Sequence, residues 1–282
     1  MPYLTLNELT YYYECHGHGG EPLLLLHGFT GSMVNWQPLL PALTPYYQVL
    51  LLDLPGHGRT AAPPDPARYG MAAVAADVWS LLDAVCPGRV HLLGYSMGGR
   101  LALYLAVRQP ARLRRLILES ASPGLATAVE RGARRAQDER LAARIEQVGM
   151  TAFVDEWERL PLWASQAGLS PAGRARLREQ RLRNDPAGLA NSLRGMGTGA
   201  QPSLWEALPA LRRPVRLLAG ALDSKFVAIN RQMAALLPQA DLRIIPGAGH
   251  TIHLEKPALF LQAVREGWPR ENGGADDADL AD

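Results

Sequence analysis

The chain has 282 residues, 48% of them hydrophobic and 20% charged, with a net charge of +2, enough for one large domain with a substantial core. The near-neutral balance, without a basic tract, leaves no electrostatic footprint for nucleic acid, and two cysteines, Cys15 and Cys86, are too few for a disulfide framework or a metal site. No apolar run reaches membrane-spanning length and the first residues carry no secretory pattern, so the expectation is a cytoplasmic protein with no metal, no cofactor, no membrane contact and no obligate protein partner.

Residues 3–6 and 10–15 alternate around Asn7-Glu8 and predict an antiparallel hairpin. From residue 23 the pattern changes. Apolar or mostly apolar runs at 23–26, 49–52, 90–93, 116–118, 215–218 and 242–245 are separated by helical stretches. Such runs predict an α/β architecture with a mostly parallel central sheet and helices on both faces. The first run ends in His27-Gly28-Phe29-Thr30-Gly31-Ser32, and the second in Asp53-Leu54-Pro55-Gly56-His57-Gly58-Arg59. His27, His57 and Arg59 read as loop braces. The third run leads into Gly94-Tyr95-Ser96-Met97-Gly98 and then a helical stretch from 100 to 108. Between 122 and 209 the strands stop, and helical patterns occupy 130–148, 151–158, 171–183 and 186–195. The expectation is a core of 1–121 and 210–270 with a helical lid, 122–209, inserted above the sheet edge. The acidic, Gly/Ala-rich residues 271–282 have nothing to bury and are expected to be disordered.

Strand, Gly-x-Ser-x-Gly and helix together form a strained turn that exposes a serine hydroxyl at the carboxyl end of a sheet. A serine hydroxyl is barely acidic; it needs an imidazole in reach and a carboxylate to fix that imidazole's tautomer. Asp223, after the strand-like run at 215–219, and His250, after 242–245, follow Ser96 in the required order. Singly, Asp223 is an ordinary turn aspartate and His250 an ordinary loop histidine; order and strand context make them catalytic candidates with Ser96. In α/β-hydrolases the loop after the first such strand donates a backbone N–H to an oxyanion hole, completed by the amide after the serine. Those amides would belong to Phe29 and Met97. Arg100 lies four residues beyond Ser96, one helical turn into the same helix, and a guanidinium there suggests a substrate bearing carboxylate. The lid's cations are all arginine, since the chain's only lysines are Lys225 and Lys256.

From residue 27 to about 257 the chain resembles the 2-succinyl-6-hydroxy-2,4-cyclohexadiene-1-carboxylate synthases, lyases of menaquinone biosynthesis on the α/β-hydrolase fold. The resemblance rests on Gly94-Tyr95-Ser96-Met97-Gly98-Gly99-Arg100, on Ile117-Leu118-Glu119 leading to Ser122-Pro123-Gly124-Leu125, and on the lid phrase 153–161. It also rests on 188–205 with Gly197-Thr198-Gly199 and Gln201-Pro202, and on Gly220-Ala221-Leu222-Asp223-Ser224-Lys225-Phe226. It implies pyruvate elimination from a small polycarboxylate, with Ser96, backed by His250 and Asp223, as the base. It further implies carboxylate binding by Arg100, Arg134 and Arg181, and a pocket lined by Tyr95 and Trp157. A true serine esterase or carbon–carbon bond hydrolase, and a non-catalytic small-molecule receptor, are the competing readings.

Overall fold

The structure is a computed structural model and describes residues 2–266. The tail at 271–282 and residues 267–270 of the expected core lie outside the described residues. Eight strands form one sheet: β1 Tyr3–Leu6, β2 Leu9–His16, β3 Glu21–Leu26, β4 Tyr47–Leu52, β5 Val90–Tyr95, β6 Leu113–Glu119, β7 Val215–Gly220 and β8 Ala240–Ile245. Their order is β1-β2-β4-β3-β5-β6-β7-β8, antiparallel at β1/β2 and β2/β4 and parallel from there on. The hairpin turns on Asn7 and Glu8, both at positive φ (45° and 67°), as a two-residue connection requires.

The apolar runs follow from burial on both faces. Leu24, Leu26, Leu50, Leu52 and Leu92 enter one core layer, with Val78, Leu82, Leu101 and Leu105 from helices α2 (Met71–Val85) and α3 (Met97–Arg108). Their strand neighbours Leu23, Leu25, Val49, Leu51 and Leu93 enter the other, against Trp36 and Phe260. Successive strand residues point to opposite faces, so a strand covered on both sides is apolar at nearly every position; buried exceptions such as His91 in β5 and Arg216 in β7 are paired with Glu21 and Asp241. Helix α1 (Leu40–Leu43) precedes α2 in the chain, and α7 (Ser224–Leu236), α8 (Ile252–Glu255) and α9 (Pro257–Arg265) come after β7 and β8. None of the described helices is long and apolar enough to cross a membrane.

Between β6 and β7 lie α4 (Ala128–Glu158), α5 (Pro171–Leu182) and α6 (Pro186–Met196). A reciprocal Thr127–Glu130 capping box starts α4, and Gly149, at φ 71° and ψ 176°, breaks it into two rods. Ala142, Ile145, Phe153, Leu189, Ala190 and Leu193 give these helices a small apolar cluster of their own. Gln180 and Asn184 then both donate side-chain amide hydrogens to the Thr30 carbonyl, each at 2.9 Å, tying α5 and the turn after it to the loop behind β3.

Candidate active site

Ser96 sits between β5 and α3 at φ 52° and ψ −108°, outside the comfortable region for a residue with a Cβ. Backbone crowding enforces the glycines around it. A Cβ on Gly98 would lie 2.3 Å from the Leu26 carbonyl oxygen, and one on Gly94 would lie 2.4 Å from that of Gly98. The Ser96 N–H donates to the Glu119 carbonyl at 2.8 Å, pinning the turn to the end of β6.

The loops after β7 and β8 are stitched together: Ala221 and Leu222 donate backbone N–H bonds to Ile245 and Ala248. Asp223 caps α7 with one carboxylate oxygen, accepting from the Phe226 N–H at 3.2 Å. Its other oxygen is 2.7 Å from His250 Nδ1, and His250 Nε2 is 3.1 Å from Ser96 Oγ. Serine, histidine and aspartate from three separate strand ends thus form one hydrogen-bonded line. Asp223 and His250 are buried and Ser96 is partly so, and the His250 ring stands 4.7 Å from that of Phe226. Glu255 was not singled out from the sequence. Its carboxylate accepts from both the Gly249 and the Thr251 N–H, at 2.6 and 3.1 Å, and so clamps the backbone on either side of His250.

Phe29 and Met97 both border the serine. Met97 is the first residue of α3, where a helix leaves its N–H without an internal acceptor. The loop carrying Phe29 is braced by His27, which donates from Nδ1 to the Gly28 carbonyl and accepts from the Leu54 N–H at Nε2. Burial pushes the His27 imidazole down to about 4 and that of His57, 5.0 Å away, to about 3.

A cavity of about 580 Å³ opens over Ser96 and His250. Its wall includes Tyr95, Arg100, Arg134 and Trp157, four of the five residues expected to contact substrate. Arg100 is buried, yet its partners are neutral: it donates to the Met196 carbonyl at 2.8 Å and to Gln201 Oε1 at 3.1 Å. Burial, and then repulsion from Arg134, lower its pKa to about 10, which leaves it charged at neutral pH. Arg134 is aimed by Asp138, whose carboxylate accepts from Arg134 Nε at 2.7 Å and from the Gly199 N–H at 3.0 Å. Three further donors on the wall, Ser120 Oγ, Trp157 Nε1 and Trp163 Nε1, have no partner among the described residues.

Arg181 departs from expectation. It stands behind Trp163, bordering a separate small cavity, and pairs with Glu158 at 2.9 Å. Its other contact, to Gln166 Oε1 at 3.1 Å, links it through Gln166 and Thr251 to the Tyr95 hydroxyl. The sequence places this arginine on a helix but gives no rotation for it, and a carboxylate twenty-three residues upstream competes for its charge.

Residues 21–257 match the model of the alpha/beta hydrolase fold family. The chain is 36% identical to the 2-succinyl-6-hydroxy-2,4-cyclohexadiene-1-carboxylate synthase of Klebsiella pneumoniae subsp. pneumoniae, over 89% of this chain and 95% of that one. The chain belongs to the 2-succinyl-6-hydroxy-2,4-cyclohexadiene-1-carboxylate synthase family. A Bacillus subtilis (strain 168) protein assigned to the same synthases is 44% identical over 88% of this chain and 90% of its own length. The solved structure of MenH from S. aureus superposes with a TM-score of 0.86 at 35% identity, covering 90% of this chain and 96% of that one.

Proposed function

We propose that this protein is a cytoplasmic lyase of menaquinone biosynthesis. It eliminates pyruvate from 2-succinyl-5-enolpyruvyl-6-hydroxy-3-cyclohexene-1-carboxylate to give 2-succinyl-6-hydroxy-2,4-cyclohexadiene-1-carboxylate. The observation that carries this reading is Arg100, a buried cation with only neutral hydrogen-bond partners on the wall of a cavity that Ser96 and His250 also line, with Asp223 bonded to the histidine. Asp138 acts on Arg100 only at a distance, its carboxylate being bonded to Arg134 and the Gly199 N–H. A buried charge with no carboxylate in hydrogen-bond reach is costly unless a ligand supplies one, and this substrate carries three.

The chemistry follows from where the atoms move. The proton to be lost is on ring carbon 2, next to the succinyl carbonyl. Ser96 Oγ takes it as its own proton passes to His250 Nε2, and Asp223 stabilises the resulting imidazolium. The released electron pair forms the bond between carbons 2 and 3, and the existing double bond shifts to carbons 4 and 5. The bond from carbon 5 to the enolpyruvyl oxygen breaks; the enolate that leaves takes a proton and becomes pyruvate. Negative charge develops on the succinyl oxygen meanwhile, where the Phe29 and Met97 N–H groups serve as preorganised donors. Arg100 and Arg134 hold carboxylates, Tyr95 and Trp157 shape the pocket, and residues 122–209 close over it as a lid. Arg181 has a supporting role through Gln166.

Pyruvate release from the enolpyruvyl substrate tests the reading. A protein that instead turns over p-nitrophenyl esters and releases no pyruvate is a serine hydrolase. Intact-protein mass spectrometry during turnover should show no adduct on Ser96; a competent covalent intermediate would replace the base mechanism with a nucleophilic one.

A further inference from the structure

The substrate proposed above has three carboxylates, whereas Arg100 and Arg134 are the only arginines among the described residues that line the cavity. A third cation does line it: Lys225. We propose that Lys225, at the mouth of the cavity, binds the third carboxylate of the substrate and so sets the preference for a tricarboxylate. This inference rests on the proposed reaction and adds a specificity-determining residue to it.

Three observations carry it. Lys225, Ile229 and Gln232 all line the cavity, and their spacing places them on one face of α7, so the lysine belongs to a wall of the site. Its position is also electrostatically unfavourable for the helix. Lys225 is in the first turn of α7, which holds no acidic residue, and a cation there opposes the helix dipole. No described carboxylate pairs with it; the contact its ammonium makes is with the Phe226 ring, 5.7 Å from the centroid. The N-cap Asp223 does place a carboxylate at this helix end, but its two oxygens are committed to the Phe226 N–H and to His250, and a cation that breaks a local rule beside a catalytic group points to function. Finally, the helix start is fixed by the triad, because Asp223 caps it while holding His250. A carboxylate bound at Lys225 is therefore held at a set distance from the base. The compact ammonium suits that place, acting as a point charge beyond the Phe226 ring, in a chain whose other cations, Lys256 apart, are arginine.

The test begins with pyruvate release by the unmodified protein, which decides the reaction. Lys225→Gln and Lys225→Glu are then compared. Lys225 is exposed, so both variants should keep the parent melting temperature. Lys225→Gln should raise KM about five- to tenfold at low salt with kcat within about twofold, the pattern of lost uniform binding. Lys225→Glu should raise KM further, and Lys225→Arg should restore most of the loss. The Gln effect should shrink as salt rises to about 0.5 M, because an exposed charge is screened. Calorimetric titration of the tricarboxylate into Ser96→Ala, with and without Lys225→Glu, reads binding apart from turnover. Binding lost with Lys225→Glu supports the site even if the unmodified protein releases no pyruvate, an outcome that would sink only the reaction. KM or Kd within twofold of the parent in both Lys225→Gln and Lys225→Glu overturns the proposal. So does a KM increase confined to Arg181→Gln, or no binding of the tricarboxylate at all.

Discussion

Ser96 and Arg100 lie one helical turn apart, and their roles separate in mutant kinetics. Ser96→Ala removes the group proposed to receive the proton. Turnover should fall by about a thousandfold or more, as for members of a triad acting as a unit, with the melting temperature retained. Retention of most of kcat would show that another group takes the proton. Arg100→Ala should cost about 2–4 kcal/mol in kcat/KM, in the range for a charged hydrogen bond lost from a sheltered site, with both KM and kcat affected. The Gln201 and Met196 acceptors left behind are neutral and add to the loss as unsatisfied groups. Arg100→Lys should recover only part, because an ammonium cannot reproduce the planar fork. Arg140, exposed on α4, is the control. An equal effect from Arg140→Ala would reduce Arg100 to part of a diffuse positive field.

Among the elements, two glycines with different duties show what holds the site and what shapes its cover. Gly98 lets α3 approach the loop behind β3: an added Cβ would lie 2.3 and 2.5 Å from the Leu26 and His27 carbonyl oxygens. Those are backbone atoms and cannot swing aside. Gly98→Ala should therefore push the Met97 amide away from the Phe29 loop, lowering kcat by at least about a hundredfold, as when an oxyanion donor is lost. Near-normal activity in soluble Gly98→Ala would show that the two loops need not be in register. Gly149 breaks α4 at φ 71° with nothing within 4 Å of an added Cβ. There the cost of Gly149→Ala is purely conformational, about 1–3 kcal/mol, visible in a urea titration as a lower midpoint with unchanged slope. A raised midpoint would mean that the helix runs straight through this point in solution, where Ala is favoured over Gly.

The whole molecule stores an acid sensitivity in its buried loop braces. His27 and His57 are held neutral, with pKa values near 4 and 3 set first by burial, whereas an unfolded histidine titrates near 6.5. Below about pH 6.5 the unfolded chain therefore binds up to two more protons than the folded one, and stability falls as pH falls. Burial of Asp53 acts in the opposite direction. Its carboxyl is raised to about 6, so between there and the unfolded value near 3.8 the folded chain binds one proton more. For these three groups the balance is one proton in favour of the unfolded state, or about 1.4 kcal/mol of stability lost per pH unit between pH 6 and 4, and His91, its pKa also lowered by burial, acts in the same direction as the other two histidines. Urea titrations at pH 7, 6, 5 and 4 check this. A flat stability across that window would show that His27 and His57 can be protonated in the folded protein.

The parallel sheet was legible in the sequence because a strand covered on both faces is apolar at nearly every position, as 23–26 and 49–52 are throughout. Ser96, Asp223 and His250 were legible because each sits at a strand end where chain order and glycine spacing constrain the turn, and the fold brings all three within hydrogen-bond reach. A helix carries no such marker for rotation. Arg100 could be placed because it shares a helix turn with Ser96, but Arg134 and Arg181 depend on how α4 and α5 pack, and only the packing puts one on the cavity wall and the other behind Trp163. Asp138, which acts on the Gly199 amide sixty-one residues away, carries no local pattern at all, and Glu255, though within six residues of the amides it holds around His250, belongs to no recognisable motif. Sequence periodicity fixes which face of a strand or helix is apolar; which polar side chain meets which amide across the fold is decided by tertiary contact alone.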